Sequence, residues 1–364
     1  MAEGNDSKRQ GTGDLEHPRT IEWLGDRVRL IDQTCLPGRL VRKEITDYRE
    51  LAESIRRLEV RGAPAIGVAG AMGLALAGLE SEAGDFEELL RDVKEAAEHL
   101  AGTRPTAVNL RWAVDRVLRS ATSEAGGDPE ALRAALVDEA LALTEEDREL
   151  SRSIGRHGAA LLSDGDTVLT HCNAGGLATA EYGTALAVVY AAVEDGKTIS
   201  VFADETRPLL QGARLTAWEL GERGIDVTLL VDSAAASAMS RGWIDKVIVG
   251  ADRIAANGDV ANKIGTMPLA LSARRFDVPF YVAAPFSTLD AGLASGSEIP
   301  IEERSPEEVT TFGGVCTAPE GVRVYNPAFD VTPAGLVSAI ITDSGVFRPP
   351  YGETLFAGGR GGRA

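Results

Sequence analysis

Cysteine is scarce in this chain. Only Cys35, Cys172 and Cys316 occur in 364 residues, no two form a CxxC pair, and only four histidines accompany them. Neither a disulfide framework nor a structural zinc site is expected. Positive charge is also short: 37 Lys and Arg, of which six are Lys, face 55 Asp and Glu, for a formal charge of −18. Such a field repels polyanions and argues against binding nucleic acid or anionic membranes. It leaves room for a small phosphorylated ligand, which needs only a local basic pocket. No signal peptide is visible in the polar first 19 residues, so the cytoplasm is the expected location. The longest uncharged run, Gly62–Leu79, is borderline in length for a membrane span. It carries five Gly and one Pro and reads better as a tightly packed internal helix. A phosphate-binding G-x-x-x-x-G-K-[ST], a G-x-S-x-G nucleophile elbow and a metal-spaced His/carboxylate cluster are all missing. NAGGLA does not fit the G-x-G-x-x-G of a dinucleotide site. A nicotinamide oxidoreductase is therefore disfavoured.

What remains is a globular composition, 44% hydrophobic and 25% charged. At ~150 residues per domain it fills two domains, or one with an elaboration. Residues 1–18 read as a disordered leader and 351–364 as a disordered tail. Short apolar runs between turn residues over Thr20–Ile45 predict a small antiparallel meander. Helical patterns follow over Tyr48–Leu58, Gly62–Leu79, Phe86–Ala101 and Asn109–Leu118. A long region, Asp128–Leu162, is expected to be broken once. From Asp166 the rhythm changes to strand–helix alternation: TVLT, TISVFA, DVTLLV, KVIVG and PFYVAA, with helices between, the first over Leu177–Ala192 and the last, after a loop, over Ile264–Phe276. The expected fold class is α/β: a small N-terminal strand-and-helix domain, 19–145, followed by a Rossmann-like parallel-sheet domain, 146–350.

In open parallel sheets, ligands bind beyond the carboxyl ends of the strands. Those ends run into His171-Cys172-Asn173, Asp204-Glu205-Thr206-Arg207, Asp232-Ser233, Ala251-Asp252-Arg253 and Ala284-Pro285-Phe286-Ser287. Cys172 is a candidate reactive thiol, or else a small buried hydrophobe. Asp252 is a candidate acid kept protonated by an apolar wall, or else a salt-bridge partner of Arg253 or a helix cap. Asp204 and Glu205 are expected to orient Arg207 or ligand hydroxyls. Arg61-Gly62-Ala63-Pro64 and Arg104-Pro105-Thr106 each put a cation at a helix start. That combination suits an oxyanion and is also ordinary helix-start chemistry.

Several blocks together resemble the methylthioribose-1-phosphate isomerase family. They are VRGAPAIGVAGAMGLAL (60–76), TRPTAVNLRWAVDR (103–116), THCNAGGLATAEYGTAL (170–186), ETRPLLQGARLTAWEL (205–220), GADRIAANGDVANKIGT (250–266), PFYVAAPFSTLD (279–290) and VYNPAFDVTPAGLVSAIIT (324–342). The likeness is collinear from about Arg19 to about Gly345. It implies an aldose–ketose isomerase of methionine salvage, converting 5-methylthioribose 1-phosphate to 5-methylthioribulose 1-phosphate. It also implies no metal, no organic cofactor and a homodimer. The resemblance puts the reactive cysteine on Cys172 and the acid–base aspartate on Asp252. Substrate binding falls on Arg61, Gly62, Ala63, Arg104, Gln211, Asn262 and Lys263. Phe286 and Cys316 depart from the family pattern, and Phe286, at a strand end, is placed to reshape the pocket. Alternative readings are a sister isomerase for ribose 1,5-bisphosphate or 5-deoxyribose 1-phosphate, and a non-catalytic subunit of the regulatory kind found in initiation-factor exchange complexes. A 5-phosphate would need a second cationic cluster, which the sequence does not display. Retention of both Cys172 and Asp252 argues against the non-catalytic subunit.

Overall fold

The computed structural model describes residues 19–104 and 107–356. Three short strands, β1 (Ile21–Trp23), β2 (Val28–Ile31) and β3 (Arg42–Ile45), pair in sequence order as the expected antiparallel meander. Five helices follow: α1 (Tyr48–Arg56), α2 (Ala63–Glu80), α3 (Phe86–Ala101), α4 (Val108–Glu124) and α5 (Pro129–Ala159). Asp47, Asp85 and Asp128 cap α1, α3 and α5 by accepting hydrogen bonds from backbone N–H groups of the first turn. α2 is apolar on every side because it runs through the middle of this bundle, touching α1, α3, α4 and α5. It is long and apolar enough to cross a membrane, but 78% of it is buried inside the protein. Its glycines admit the neighbours: a Cβ on Gly70 would lie 2.5 Å from Leu110 and one on Gly73 2.9 Å from Leu100.

The break expected in the long helical region is absent. After Pro129 no proline or glycine interrupts α5 until Gly155, so nothing in the chain stops it. Leu132 and Leu136 near its start belong to the bundle core. Ile154 and Ala159 near its end pack into the core of the following sheet. The expected boundary near residue 145 thus falls within one helix that is shared by both cores.

Next come β4 (Thr167–Thr170), α6 (Ala185–Glu194), β5 (Ser200–Asp204), α7 (Ala217–Glu222), β6 (Val227–Leu230), α8 (Ala235–Ser240) and β7 (Lys246–Val249). Then follow β8 (Arg253–Ala255), β9 (Val260–Lys263), α9 (Thr266–Arg275), β10 (Phe280–Ala283) and β11 (Leu289–Asp290). The C-terminal part holds α10 (Glu307–Thr310), β12 (Thr311–Phe312), β13 (Val315–Cys316), β14 (Phe329–Thr332), β15 (Ala339–Thr342), β16 (Gly345–Phe347) and α11 (Tyr351–Thr354).

The main sheet runs β16-β15-β10-β7-β4-β5-β6, parallel except for β16. Its six parallel strands have the 3-2-1-4-5-6 order of doubly wound folds, and the chain reverses direction across the sheet between β4 and β7. The sixth parallel strand, β15, was not singled out in the strand rhythm. Three further expectations need correction. The loop after KVIVG is a hairpin, β8–β9, in a separate sheet of order β11-β8-β9-β14. The helix expected from Leu177 begins only at Ala185, because Gly175 bridges to Gly183 and folds residues 173–184 back on themselves. Gly183, at φ +93°, approaches the Gly175 backbone so closely that a Cβ would lie 2.5 Å from it. Finally, part of the expected disordered tail is ordered. Tyr351 and Leu355 are buried, and the Tyr351 hydroxyl donates to the Val337 carbonyl at 2.9 Å. Apolar anchors outweigh the polar residues around them. The leader and residues 357–364 lie outside the described residues.

Candidate active site

Where β4 and β7 lie side by side, their carboxyl ends diverge into loops and open a crevice. A cavity of about 480 Å³ occupies it. Cys172 leaves β4 and Asp252 leaves β7, so the reversal of strand order puts these two residues on one wall pair. The cavity is closed by the start of α2, the loop before α4, the residues preceding α7, the β9 end and residues 299–304. All nine residues singled out from the sequence line it: Arg61, Gly62, Ala63, Arg104, Cys172, Gln211, Asp252, Asn262 and Lys263. Pro105 and Thr106 of the arginine motif lie outside the described residues.

The Cys172 backbone is strained. Its φ of +63° lies in the left-handed region, where a non-glycine residue costs ~1–3 kcal/mol. Two threonines hold it there. The Cys172 N–H donates to Thr206 Oγ1 at 2.8 Å, and Thr216 Oγ1 donates to the Cys172 carbonyl at 2.7 Å. Thr206 is itself left-handed and is held in turn by Asp232, which accepts from its N–H at 2.7 Å. Leu58 and Leu210, also left-handed, lie beside or next to the cavity. A single π-helical turn, Gly212–Thr216, follows Gln211; such turns occur mostly as local insertions at functional sites. Gln211 is 7% exposed, and its Oε1 finds no hydrogen-bond donor among the described residues.

Arg61 precedes α2. Its Nε donates to Gln33 Oε1 at 3.1 Å, and its terminal nitrogens donate to the Asn173 carbonyl at 3.1 and 3.3 Å and to Asn173 Oδ1. Gly62 takes φ +98°, and a Cβ there would lie 2.4 Å from the Ala178 carbonyl oxygen. No other residue fits, which is the physical reason for the RGA motif. Five cations line the cavity (Arg61, Arg104, Arg253, Lys263, Arg304) against two carboxylates, Asp252 and Glu302. The chain is acidic overall, yet this pocket is locally positive. Arg253 pairs with Asp290 and Arg304 with Glu302 and Glu308. Arg61, Arg104 and Lys263 form no salt bridge with a described carboxylate, although Asp252 acts on all three across the cavity and Glu302 acts on Arg104. Lys263 lies 4.7 Å from the Phe329 ring centre, its cross-strand neighbour.

Asp252 faces the cavity and is accessible from it, while protein crowds its other sides. Crowding by the surrounding protein desolvates the cavity-facing carboxyl and raises its pKa, Lys263, Arg61 and Arg104 pull it back down, and Glu302 pushes it up again; the net shift is upward. The salt bridge to Arg253 that would have made Asp252 merely structural is not formed, since Arg253 turns to Asp290 at 3.5 Å. Its side chain makes no hydrogen bond to any described residue. Asn262 is buried and donates to Thr266 Oγ1 at 3.0 Å.

The contact between His171 and Asp204 corrects one expectation. His171 is buried, its Nδ1 3.0 Å from Asp204 Oδ2 and its Nε2 2.8 Å from the Ile264 carbonyl. Burial disfavours its charge, but Asp204 and the Ile264 carbonyl outweigh that and raise its pKa. Asp204 therefore holds His171 rather than Arg207 or a ligand. Gly265 packs on the imidazole, where a Cβ would lie 2.7 Å from its Cε1. His171, Asp204 and Asp232 offer three ligand-type atoms within 4.8 Å of one another. Both Asp232 oxygens accept backbone N–H groups, from Thr206 and Arg207, so the trio braces the ends of β4, β5 and β6. Phe286 packs towards Phe347 and Phe356 and does not line the cavity. The concern that it reshapes the pocket is not realised. Sequence reasoning missed Asn173, Glu302, Arg304 and the threonine clamps. Of these, Asn173, next to Cys172, and Thr206, at the exit of β5, carried a positional signal.

The fold and the cavity define a doubly wound α/β protein with a cation-lined crevice at its switch point. The profile described as Initiation factor 2 subunit family matches residues 59–349. The chain belongs to that family. It is 56% identical over 335 residues to a 5-deoxyribose 1-phosphate isomerase of Moorella thermoacetica, covering 92% of this chain and 95% of that protein. It is 57% identical over 339 residues to a methylthioribose-1-phosphate isomerase of Geobacter metallireducens, covering 93% and 98%. A crystal structure of 5-methylthioribose 1-phosphate isomerase from Pyrococcus horikoshii superposes with a TM-score of 0.90 at 47% identity, covering 95% and 97%.

Proposed function

We propose that this aldose–ketose isomerase converts 5-methylthioribose 1-phosphate to 5-methylthioribulose 1-phosphate. The observation that carries the reading is the meeting of Cys172 and Asp252 across the switch point, in a cavity with three cations that form no salt bridge to a described carboxylate. The substrate is a sugar with phosphate on its anomeric carbon, so its ring does not open freely. Asp252, its pKa raised by burial, gives a proton to the ring oxygen as the C1–O bond breaks, and the phosphate stays attached. The net change then moves one hydrogen from C2 to C1, while the C2 hydroxyl loses its proton and becomes the ketone. On a proton route Cys172 is the base at C2. On a hydride route it is a polarisable wall beside the reacting carbons. Deuterium incorporation at C1 in heavy water separates the two.

Arg61, Arg104 and Lys263 bind the phosphate, with backbone N–H groups at the start of α2. The buried Gln211 oxygen accepts from a sugar hydroxyl. The 5-substituent meets apolar wall, to which Pro64, Ile66, Val108 and Ile299 contribute. The additional cations, Arg253 and Arg304, are neutralised by Asp290, Glu302 and Glu308. A second phosphate therefore finds no uncompensated charge. The 56% identity to the 5-deoxyribose 1-phosphate isomerase supports a second reading, in which the shorter 5-deoxy sugar is the preferred substrate. The test is a panel of 5-methylthio-, 5-deoxy- and 5-phospho-ribose 1-phosphates, followed by NMR for ketose formation. The highest kcat/KM is expected for the methylthio sugar. Preference for the bisphosphate, or no turnover of any of the three, overturns the proposal.

A further inference from the structure

Glu219 on α7 does not line the cavity and is 4% exposed, yet it is tied to it. Its Oε1 accepts from the Leu177 N–H at 2.9 Å and Asn173 Nδ2 at 3.1 Å. Its Oε2 accepts from the Gly176 N–H at 2.8 Å and the Tyr190 hydroxyl at 3.1 Å. Four donors converging on two oxygens suit the ionised carboxylate, which only accepts. The fit is tight: a Cβ on Gly175 would lie 2.0 Å from Glu219 Oε2. That contact explains the first glycine of the NAGG segment.

From Glu219 the hydrogen bonds close into a ring that passes through the site. Asn173 turns its Nδ2 to Glu219 and so presents Oδ1 to Arg61. Arg61 Nε donates to Gln33 Oε1 at 3.1 Å. Gln33 Nε2 donates to the Leu177 carbonyl at 2.8 Å, and the Leu177 N–H returns to Glu219. Each amide in the ring has one orientation that satisfies both neighbours. The guanidinium is thus gripped on two sides by neutral oxygens, and a compensating carboxylate, Glu219, sits one residue further away, behind Asn173. A carboxylate touching Arg61 directly would compete with an anionic ligand. One placed behind Asn173 orients the arginine and leaves its charge available.

We infer that Glu219 is a positioning residue that acts through Asn173 and Gln33 to aim the Arg61 guanidinium at the substrate phosphate. This rests on the assignment of Arg61 to phosphate binding made above. The experiment is a double-mutant cycle of Glu219→Gln and Arg61→Ala, read as KM and kcat, with a melting curve for each variant. Glutamine keeps the shape but brings an NH2 among four donors, so the ring must open. In the wild-type background KM is expected to rise tenfold or more while kcat stays within about threefold. In the Arg61→Ala background Glu219→Gln is expected to add no further rise. A rise that persists in full without Arg61, or a lowered melting temperature with unchanged KM, overturns the inference. If Arg61→Ala itself leaves KM unchanged, the phosphate assignment fails and the inference falls with it. Should Glu219→Gln not fold, Asn173→Ala replaces it in the same cycle. That variant opens the ring one link nearer the cavity and leaves three donors on Glu219.

Discussion

Asp252→Asn separates chemistry from architecture more cleanly than any other change. The Asp252 side chain makes no hydrogen bond to a described residue, and its backbone N–H, which donates to the Ala261 carbonyl at 2.9 Å, is untouched by the substitution. Stability should stay within ~0.5 kcal/mol of wild type. Binding should not weaken either. Lys263, Arg61 and Arg104 all act on Asp252, and a neutral amide leaves them at least as free for phosphate as the neutral acid form does. KM is expected to hold or fall. Asparagine cannot supply the proton that opens the ring, so kcat should drop by ~10²–10⁴-fold. At about 1.36 kcal/mol per decade this is ~2.7–5.5 kcal/mol of barrier. The pH dependence follows from the raised pKa: the acid form is active, so wild-type kcat should hold at low pH and decline as pH climbs through that value. Steady-state kinetics on both proteins across the pH range in which the fold persists would show this limb in wild type and not in the variant. Near-normal kcat in Asp252→Asn with the limb retained would refute the assignment, and Cys172 would then be the next acid to examine.

Cys172→Ala should cut kcat severely, while Cys35→Ala and Cys316→Ala remain near wild type; equal tolerance at all three sites would reduce Cys172 to a packing residue. Gly62→Ala puts a methyl 2.4 Å from the Ala178 oxygen at a φ of +98°. Strain of ~1–3 kcal/mol and overpacking of similar size should lower stability by ~2–6 kcal/mol in denaturant titrations, and a loss below ~1 kcal/mol would contradict the geometry. Asp147, buried on α5 and accepting from the Ala180 N–H at 2.7 Å, is pushed by burial to a pKa of about 6 from 3.8. The folded state therefore binds this proton more tightly than the unfolded state, and the associated stability is lost as pH rises from about 4 to about 6. Asp147→Asn should remove ~3 kcal/mol of that fall; identical pH–stability curves for the two proteins would show that Asp147 is not perturbed.

Much of this molecule is readable from local pattern. Short apolar runs in TVLT, TISVFA and KVIVG, alternating along the chain with helical segments, mark parallel strands, and the ends of the first and fourth carry Cys172 and Asp252. The five glycines in Gly62–Leu79 mark a helix that other helices approach closely, and α2 is such a helix. The failures have common physics. Residues 177–184 have helical composition, but the Gly175–Gly183 bridge overrides it. The hairpin β8–β9 is too short to outweigh its loop-like residues without β11 and β14 beside it. Tyr351 and Leu355 sit among polar residues and are ordered only because Val337 and its neighbours receive them.

Chain order determined which residues stand at strand ends and helix starts, because periodicity and turn chemistry act over a few positions. That was enough to nominate Cys172 and Asp252 at strand ends and Arg61, Gly62, Ala63 and Arg104 at helix starts, while Gln211, Asn262 and Lys263 are marked only by the resemblance to the isomerase family. Tertiary structure decided which of them meet. Cys172 and Asp252 are 80 residues apart in sequence, and they face one cavity because β7 pairs beside β4 rather than beside β6. It also decided which cations are left for a ligand, since Arg253 and Arg304 find carboxylates and Arg61 finds only neutral oxygens. Pairing of charges and burial of a carboxyl depend on distances in space, and those exist only once the sheet has closed against the bundle.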